Sequence, residues 1–321
     1  MNQRQRGVAL ITVMLILAIM VVVAAGIGGR LGINIRRTGN QIGQHQAYFY
    51  ALSGEAFAKL ALHRLLKEED GELNLSQDWA KPQAFPVEGG SIKGQIRDGH
   101  GCFNLNSLQG DNDQDRQSHR KAFQALLEAL EVDSFEAETV SYSLADWLDD
   151  DSRLDASFGA EDAEYQGREF PYLAANGLMT DVSELRMVNG VTAAIYLKVR
   201  PYVCVLDDNS FEVNVNTLPS DRAAVLAAVL TPLTLSDAEG ILGARPEEGF
   251  DSLDQVWEEP ALASLQDPLP GAKEALVLKS DRYFVSLEGR FQDRPMYMES
   301  LLKKDDNNKL TTLWRRLGGR L

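Results

Sequence analysis

The sequence predicts an α+β protein: one long N-terminal helix packed on a small antiparallel sheet, with a large inserted α-helical domain made of two related modules. Three observations predict it. An uncharged apolar run over residues 8–29 continues into a helical stripe of small residues. Segments of alternating polarity lie at 91–98 and near the C-terminus. Between them a short Asn-containing phrase occurs twice, at Phe103-Asn-Leu-Asn-Ser-Leu108 and Val213-Asn-Val-Asn-Thr-Leu218.

Residues 8–29 hold one hydroxyl, Thr12, and are long enough to cross a bilayer as a helix. Arg4-Gln5-Arg6-Gly7 precedes the run with no spacer. A secretory signal peptide has a shorter apolar stretch with its cleavage site after it. Here the candidate processing point, Gly7 before Val8, lies ahead of the span, so a cut there leaves the helix attached. On these residues alone, an ordinary signal anchor is the alternative. Beyond the span, Ala47, Ala51, Gly54, Ala58, Ala61 and Leu65 recur on one helical face. A single helix from Val8 to about Leu66 measures roughly 87 Å. Gly26, Gly28, Gly29 and Gly32 weaken it and predict a bend or melted turn at the membrane edge, where Gly28 and Gly32 also form a small-xxx-small pair.

Residues 67–90, with Pro82, Pro86 and Gly89-Gly90, read as loop. Residues 91–98 alternate and read as a strand. So do 197–206 and 211–216, which flank a polar turn, and 282–291 with 295–303, a hairpin around Gln292-Asp293-Arg294. Residues 305–321 are polar, then basic, and read as a loosely held tail. The repeat continues: each Asn phrase precedes an apolar helix, at 123–130 and 223–230, and 182–188 echoes 250–256. In this alignment the first copy carries about 42 extra residues, placed in the acidic stretch. The resulting organisation is a leader at 1–7 and a transmembrane part at 8–29. An α/β domain follows at 30–105 and 277–304, with strands from 197–216 joining its sheet. The helical modules occupy 106–196 and 217–276, and the tail 305–321.

The formal charge is −15, and removing Arg4 and Arg6 with the leader makes it −17. Such a surface repels phosphate backbones, which excludes nucleic acid, and suits divalent cations or basic partners. Eight carboxylates fall between Asp146 and Glu164, opposed by Arg153 alone. Like charges this dense require water or a cation, and calcium takes six to eight oxygens in flexible geometry. A calcium site and a solvated acidic loop are both open from the residues. Asp111, Asp113 and Asp115 begin like an EF-hand loop but Arg116 stands where Gly belongs, so they read as a helix start. Cys102 and Cys204, with none left over, read as one disulfide if the chain beyond the span lies outside the cytoplasm; two buried thiols are the alternative. His45, His63, His100 and His119 are scattered, no nucleophile has a base at reading distance, and no phosphate-cradling loop appears. The chain does not read as an enzyme, and a calcium-dependent hydrolase would need a nucleophile or acid/base pair not found here.

The leader Arg6-Gly7-Val8-Ala9-Leu10-Ile11-Thr12 resembles those of type IV prepilins and type II secretion pseudopilins. Ala47-Tyr48-Phe49-Tyr50-Ala51, Cys102-Phe-Asn-Leu-Asn106, Asp146-Trp-Leu-Asp149, Gly159-Ala-Glu-Asp162 and Val213-Asn-Val-Asn-Thr217 extend the likeness, most closely to the minor pseudopilin K family of type II secretion. The resemblance implies a pseudopilin fold interrupted by a helical domain, and cleavage by a prepilin peptidase between Gly7 and Val8. It implies an inner-membrane anchor with a cytoplasmic N-terminus and a periplasmic domain. That orientation is one the flanking arginines, Arg4 and Arg6 against Arg30, Arg36 and Arg37, do not decide. Implied partners are minor pseudopilins I and J and the major pseudopilin G, at the tip of a pseudopilus that exports folded proteins. Calcium is the implied cofactor, with Asp149, Asp151, Glu161, Asp162 and then Asp146 as ligands. Most pilins carry Glu at the fifth mature position; here it is Thr12. An unpartnered carboxylate costs about 2.5–3.5 kcal/mol at a helix centre in lipid, so its loss suits a subunit with no neighbour above it. A type IV minor pilin or pilus-tip protein is the alternative that the leader allows.

Overall fold

The computed structural model describes residues 3–69 and 71–318. The expected cleaved leader therefore lies partly outside the described residues, as do the last three residues of the expected tail. Helix α1 (Gln3–Glu68) is continuous. No turn melts at Gly26–Gly32: the helix runs through them unbroken, and each of those glycines faces open space. Residues 8–42 are exposed, and the span from Val8 is long and apolar enough to cross a membrane.

From Gly43 onward α1 lies on a sheet. Ala47, Ala51, Ala58, Leu62 and Leu66 are buried there. The buried line thus ends on Leu62 and Leu66 and leaves Ala61 exposed, a drift from the expected stripe. Small residues matter at one crossing: a Cβ on Gly289 would stand 2.2 Å from the Ala47 carbonyl oxygen.

The expected loop over 67–90 contains a turn that buries Trp79 and a strand, β1 (Gln83–Val87), which pairs with β2 (Gly90–Asp98). Pro86 is tolerated in β1 because that strand is the sheet's edge. After β2 the chain leaves the sheet and builds two helical modules. The first runs through β3 (Phe103–Asn104), α2 (Asp113–Ala129), α3 (Ser134–Leu148), α4 (Asp162–Gln166), α5 (Ala193–Val199) and β4 (Val203–Cys204). The second comprises β5 (Val213–Asn214), α6 (Ala223–Val229), α7 (Leu235–Ala244), α8 (Leu253–Trp257), α9 (Pro260–Ala263) and β6 (Leu276–Val277). The chain then re-enters the sheet as β7 (Arg282–Phe291), β8 (Arg294–Lys304) and β9 (Leu310–Leu317).

The sheet order is β1-β2-β7-β8-β9, antiparallel throughout. Two expectations are corrected here. Residues 197–216 add no strand to this sheet. They hold the end of α5 and two strands of two residues each, β4 pairing with β3 and β5 with β6 in separate parallel ladders. The apolar run here closes the modules in place of extending the sheet. The tail is not loose either, because β9 forms the fifth strand. It is held by Glu55 of α1, which is 2% exposed. Glu55 accepts from Ser300 Oγ (2.7 Å), Thr312 Oγ1 (2.7 Å) and the Arg315 guanidinium (2.6 and 2.8 Å), and these partners hold its carboxyl down at about 2 against the cost of burial.

The repeat is real in three dimensions, and its logic is an asparagine clamp. Asn106 accepts from the Met179 backbone N–H (2.8 Å) and donates to the Met179 carbonyl (3.0 Å). Asn216 does the same to Phe250, at 2.8 and 3.0 Å. Each clamp joins the start of a module to its later half, satisfying buried backbone groups that have no ladder. The clamp bridges 73 residues in the first copy and 34 in the second, so the first holds 39 more rather than about 42. Equivalence therefore pairs Met179 with Phe250, three positions off the sequence alignment.

Candidate metal centre

Asp133 caps α3, accepting from Phe135 N at 2.9 Å, and the helix runs to Leu148. Its last turn faces the core of the first module, so Asp146 is buried beside Trp147 and Leu148. The chain then folds back in a tight loop. Asp155 N–H donates to Asp146 Oδ1 at 3.2 Å, and Arg153 folds onto Asp151 (2.8 and 2.9 Å). Gly159 crosses directly over Asp146, where a Cβ would stand 1.9 Å from Oδ2. Glu161 precedes α4 without capping it. Tyr165 of α4 packs against Trp147 and Tyr172, 5.2 Å between ring centroids in each pair, which pins the returning segment.

Two overlapping carboxylate groups result, with oxygens within 4.8 Å of one another: Asp146, Asp149 and Asp155, and Asp149, Asp151 and Glu161. Asp146 Oδ2, Asp149 Oδ1 and both oxygens of Glu161 are buried without a hydrogen-bond partner. Burial first, and then the neighbouring carboxylates, push Asp146 up to about 7 and Glu161 to about 7, and Asp149 to about 6. The Arg153 hydrogen bonds hold Asp151 below its ordinary value.

Orphaned, mutually repelling carboxylate oxygens fit a hard dication, and an all-oxygen donor set fits calcium rather than zinc. Of the expected ligands, the structure brings Asp146, Asp149, Asp151 and Glu161 together. Asp162 is placed differently: it sits in the first turn of α4 and its Oδ1 accepts from Ala174 N at 3.0 Å, outside both groups. Two residues escaped the sequence reading. Asp155 joins the first group, and Asn176 has a buried, unpartnered Oδ1 while its Nδ2 donates to the Asp151 carbonyl at 3.0 Å. Asp155 was visible as one more acid in the run; nothing in the sequence marks Asn176, which a distant turn brings in.

Cys102 and Cys204 form a disulfide, with Cα atoms 5.8 Å apart, between the start of the first module and its closing ladder. Beside it Asp98 accepts from Ser280, Thr217 and the His100 N–H at 2.6–2.8 Å, and buried Arg282 is held by Asp207, Asp208 and Asp281. These contacts fix the modules to the sheet.

Comparison with known proteins agrees with this division. Two family models, both described as type II secretion system (T2SS), protein K, match residues 101–208 and 213–279. Those spans coincide with the two clamped modules. The chain is 39% identical to the type II secretion system protein K of Aeromonas hydrophila, over 99% of this chain and 98% of that one. It is 35% identical to that of Pectobacterium carotovorum, with the same coverage. Among solved structures, a chain of the GspK-GspI-GspJ complex from the enterotoxigenic Escherichia coli type 2 secretion system matches with a TM-score of 0.80 and 31% identity. That match covers 88% of this chain and all of the other.

Proposed function

The chain belongs to the type II secretion system protein K family, the minor pseudopilins, and from that premise we propose that it stands at the tip of a periplasmic pseudopilus that helps export folded proteins. Its partners in this reading are minor pseudopilins I and J, which the solved relative's complex contains, with the major pseudopilin G below them. The N-terminus is cytoplasmic, a prepilin peptidase cuts between Gly7 and Val8, and the anchor stays in the inner membrane. The protein works by binding and assembly, with no catalytic turnover.

One observation carries the tip position. Where most pilins have Glu, Thr12 donates its hydroxyl to its own helix, to the Ala9 carbonyl at 2.9 Å. The fifth mature position thus needs nothing from a neighbouring subunit in lipid. Calcium in this reading is held by Asp146, Asp149, Asp151 and Glu161, with Asp155 and Asn176 beside them. It replaces the repulsion between their carboxylates with coordination and ties the acidic loop down.

The test is the N-terminal sequence of the mature protein from membranes, with co-purification of proteins I and J. A start at Val8 and recovery of both partners are expected. Material that begins at Met1 while the peptidase is active, or downstream of Gly29, refutes the reading.

A further inference from the structure

Between α2 and α3 lies a pocket of about 320 Å³ lined by Asp113, Arg116, Arg120, Tyr142 and Asp155. Arg120 is 7% exposed. Its guanidinium stacks on Tyr142, 3.7 Å from the ring centroid, and makes one long hydrogen bond, 3.4 Å to Gln124 Oε1. Among the described residues no carboxylate comes within ion-pair distance of it, whereas Arg116 at the rim is paired with Asp113. The remaining guanidinium nitrogens open onto the pocket, where their donors have no partner among the described residues and are free to meet a counter-charge.

We propose that this pocket binds a carboxylate, seated on Arg120. Stacking on Tyr142 holds the guanidinium plane fixed and leaves its in-plane N–H groups available, the geometry that receives a carboxylate through two parallel hydrogen bonds. The rim selects the ligand. Asp113 and Asp155 place two negative charges around it, which a singly charged carboxylate tolerates better than a doubly charged phosphate. The carboxylate comes either from a small organic acid or from an acidic side chain of a protein segment, and the pocket volume admits both.

The experiment uses the full chain in detergent with chelator present, read by saturation-transfer NMR on two probes, acetate and an amidated tetrapeptide with one internal Asp, each at about 10 mM to reach weak binding. Transfer to both is expected, with equimolar inorganic phosphate failing to displace them. Arg120→Gln should abolish transfer. Asp155→Asn, which lightens the rim charge, should strengthen binding at least about threefold by the loss of one nearby negative charge. A peptide affinity tenfold above that of acetate assigns the site to a protein segment, and equal affinities assign it to a small acid. Transfer that persists in Arg120→Gln overturns the proposal. So does an Asp155→Asn variant that binds more weakly and melts lower, because Asp155 would then be the counter-charge of Arg120. That second variant keeps the test decisive should Arg120→Gln fail to fold.

Discussion

Raising the pH of the metal-free protein from about 4 to about 7.5 should cost it stability, chiefly through Asp146. This side chain is fully buried, and its folded value is about 7 against an ordinary 3.8. A raised carboxyl value means that the folded state holds its proton more tightly than the unfolded chain. The contribution is therefore fully present below about pH 4 and is lost as the pH climbs through about 7. At about 1.4 kcal/mol per pH unit, the gap between 3.8 and about 7 amounts to ~4 kcal/mol from this residue. Glu161 acts in the same direction, coupled to it. The assay is chemical unfolding with chelator across that pH range, followed by near-ultraviolet circular dichroism, which reports Trp147, Tyr165 and Tyr172 beside the cluster. Saturating calcium should remove the decline and raise stability at neutral pH. Asp146→Asn should flatten the metal-free profile and blunt the calcium effect. A metal-free stability that is level or rising between pH 4 and 7, or that ignores calcium, refutes the reasoning.

Other expectations follow from single contacts. Glu55→Gln places a neutral amide against Arg315, Thr312 and Ser300 and should destabilise the sheet domain by about 3 kcal/mol in urea unfolding. In the wild type, the Glu55 contribution should persist at neutral pH and fade only as the pH falls from about 4.5 toward 2, opposite in direction to Asp146. Asn216→Ala removes both bonds to Phe250 and should cost about 2–3 kcal/mol, with early hydrogen exchange confined to the second module. Gly159→Ala drives a methyl group into Asp146 Oδ2 and should abolish the calcium-dependent rise in melting temperature, while leaving Glu55-dependent stability intact.

The parts of this fold that repeat or alternate were legible in the sequence. The hairpin of β7 and β8 shows as alternation around a short polar turn, and the modules show because each clamp demands Asn at the same place. The acids of the candidate centre were legible as a charge density that needs a remedy. What stayed hidden depends on neighbours. β9 alternates weakly and is basic, and it becomes a strand because β8 offers an edge and Glu55 a counter-charge for Arg315. The strands β4 and β5 fall inside segments that read as strands, but at two residues each they are too short to show that they pair with β3 and β6 rather than with the main sheet. Asp162 looked equivalent to Glu161, yet one step into a helix turns its carboxylate toward Ala174. The glycines at the membrane edge lower helix propensity, but the ladder around them is unbroken and meets no packing that would bend it.

Because β2 and β7 are neighbours, residues 99–281 leave and return at one spot, where Gly99 N–H bonds to the Arg282 carbonyl at 2.8 Å. A pull along α1 therefore reaches β7 and β8 directly, as sliding between helix and sheet, and passes to the modules through the stem and side-chain ties such as Arg316 to Asp181 and Asn74 to Glu248. Force delivered from the membrane thus meets the sheet first and arrives at the acidic loop and the asparagine clamps second-hand, through those ties.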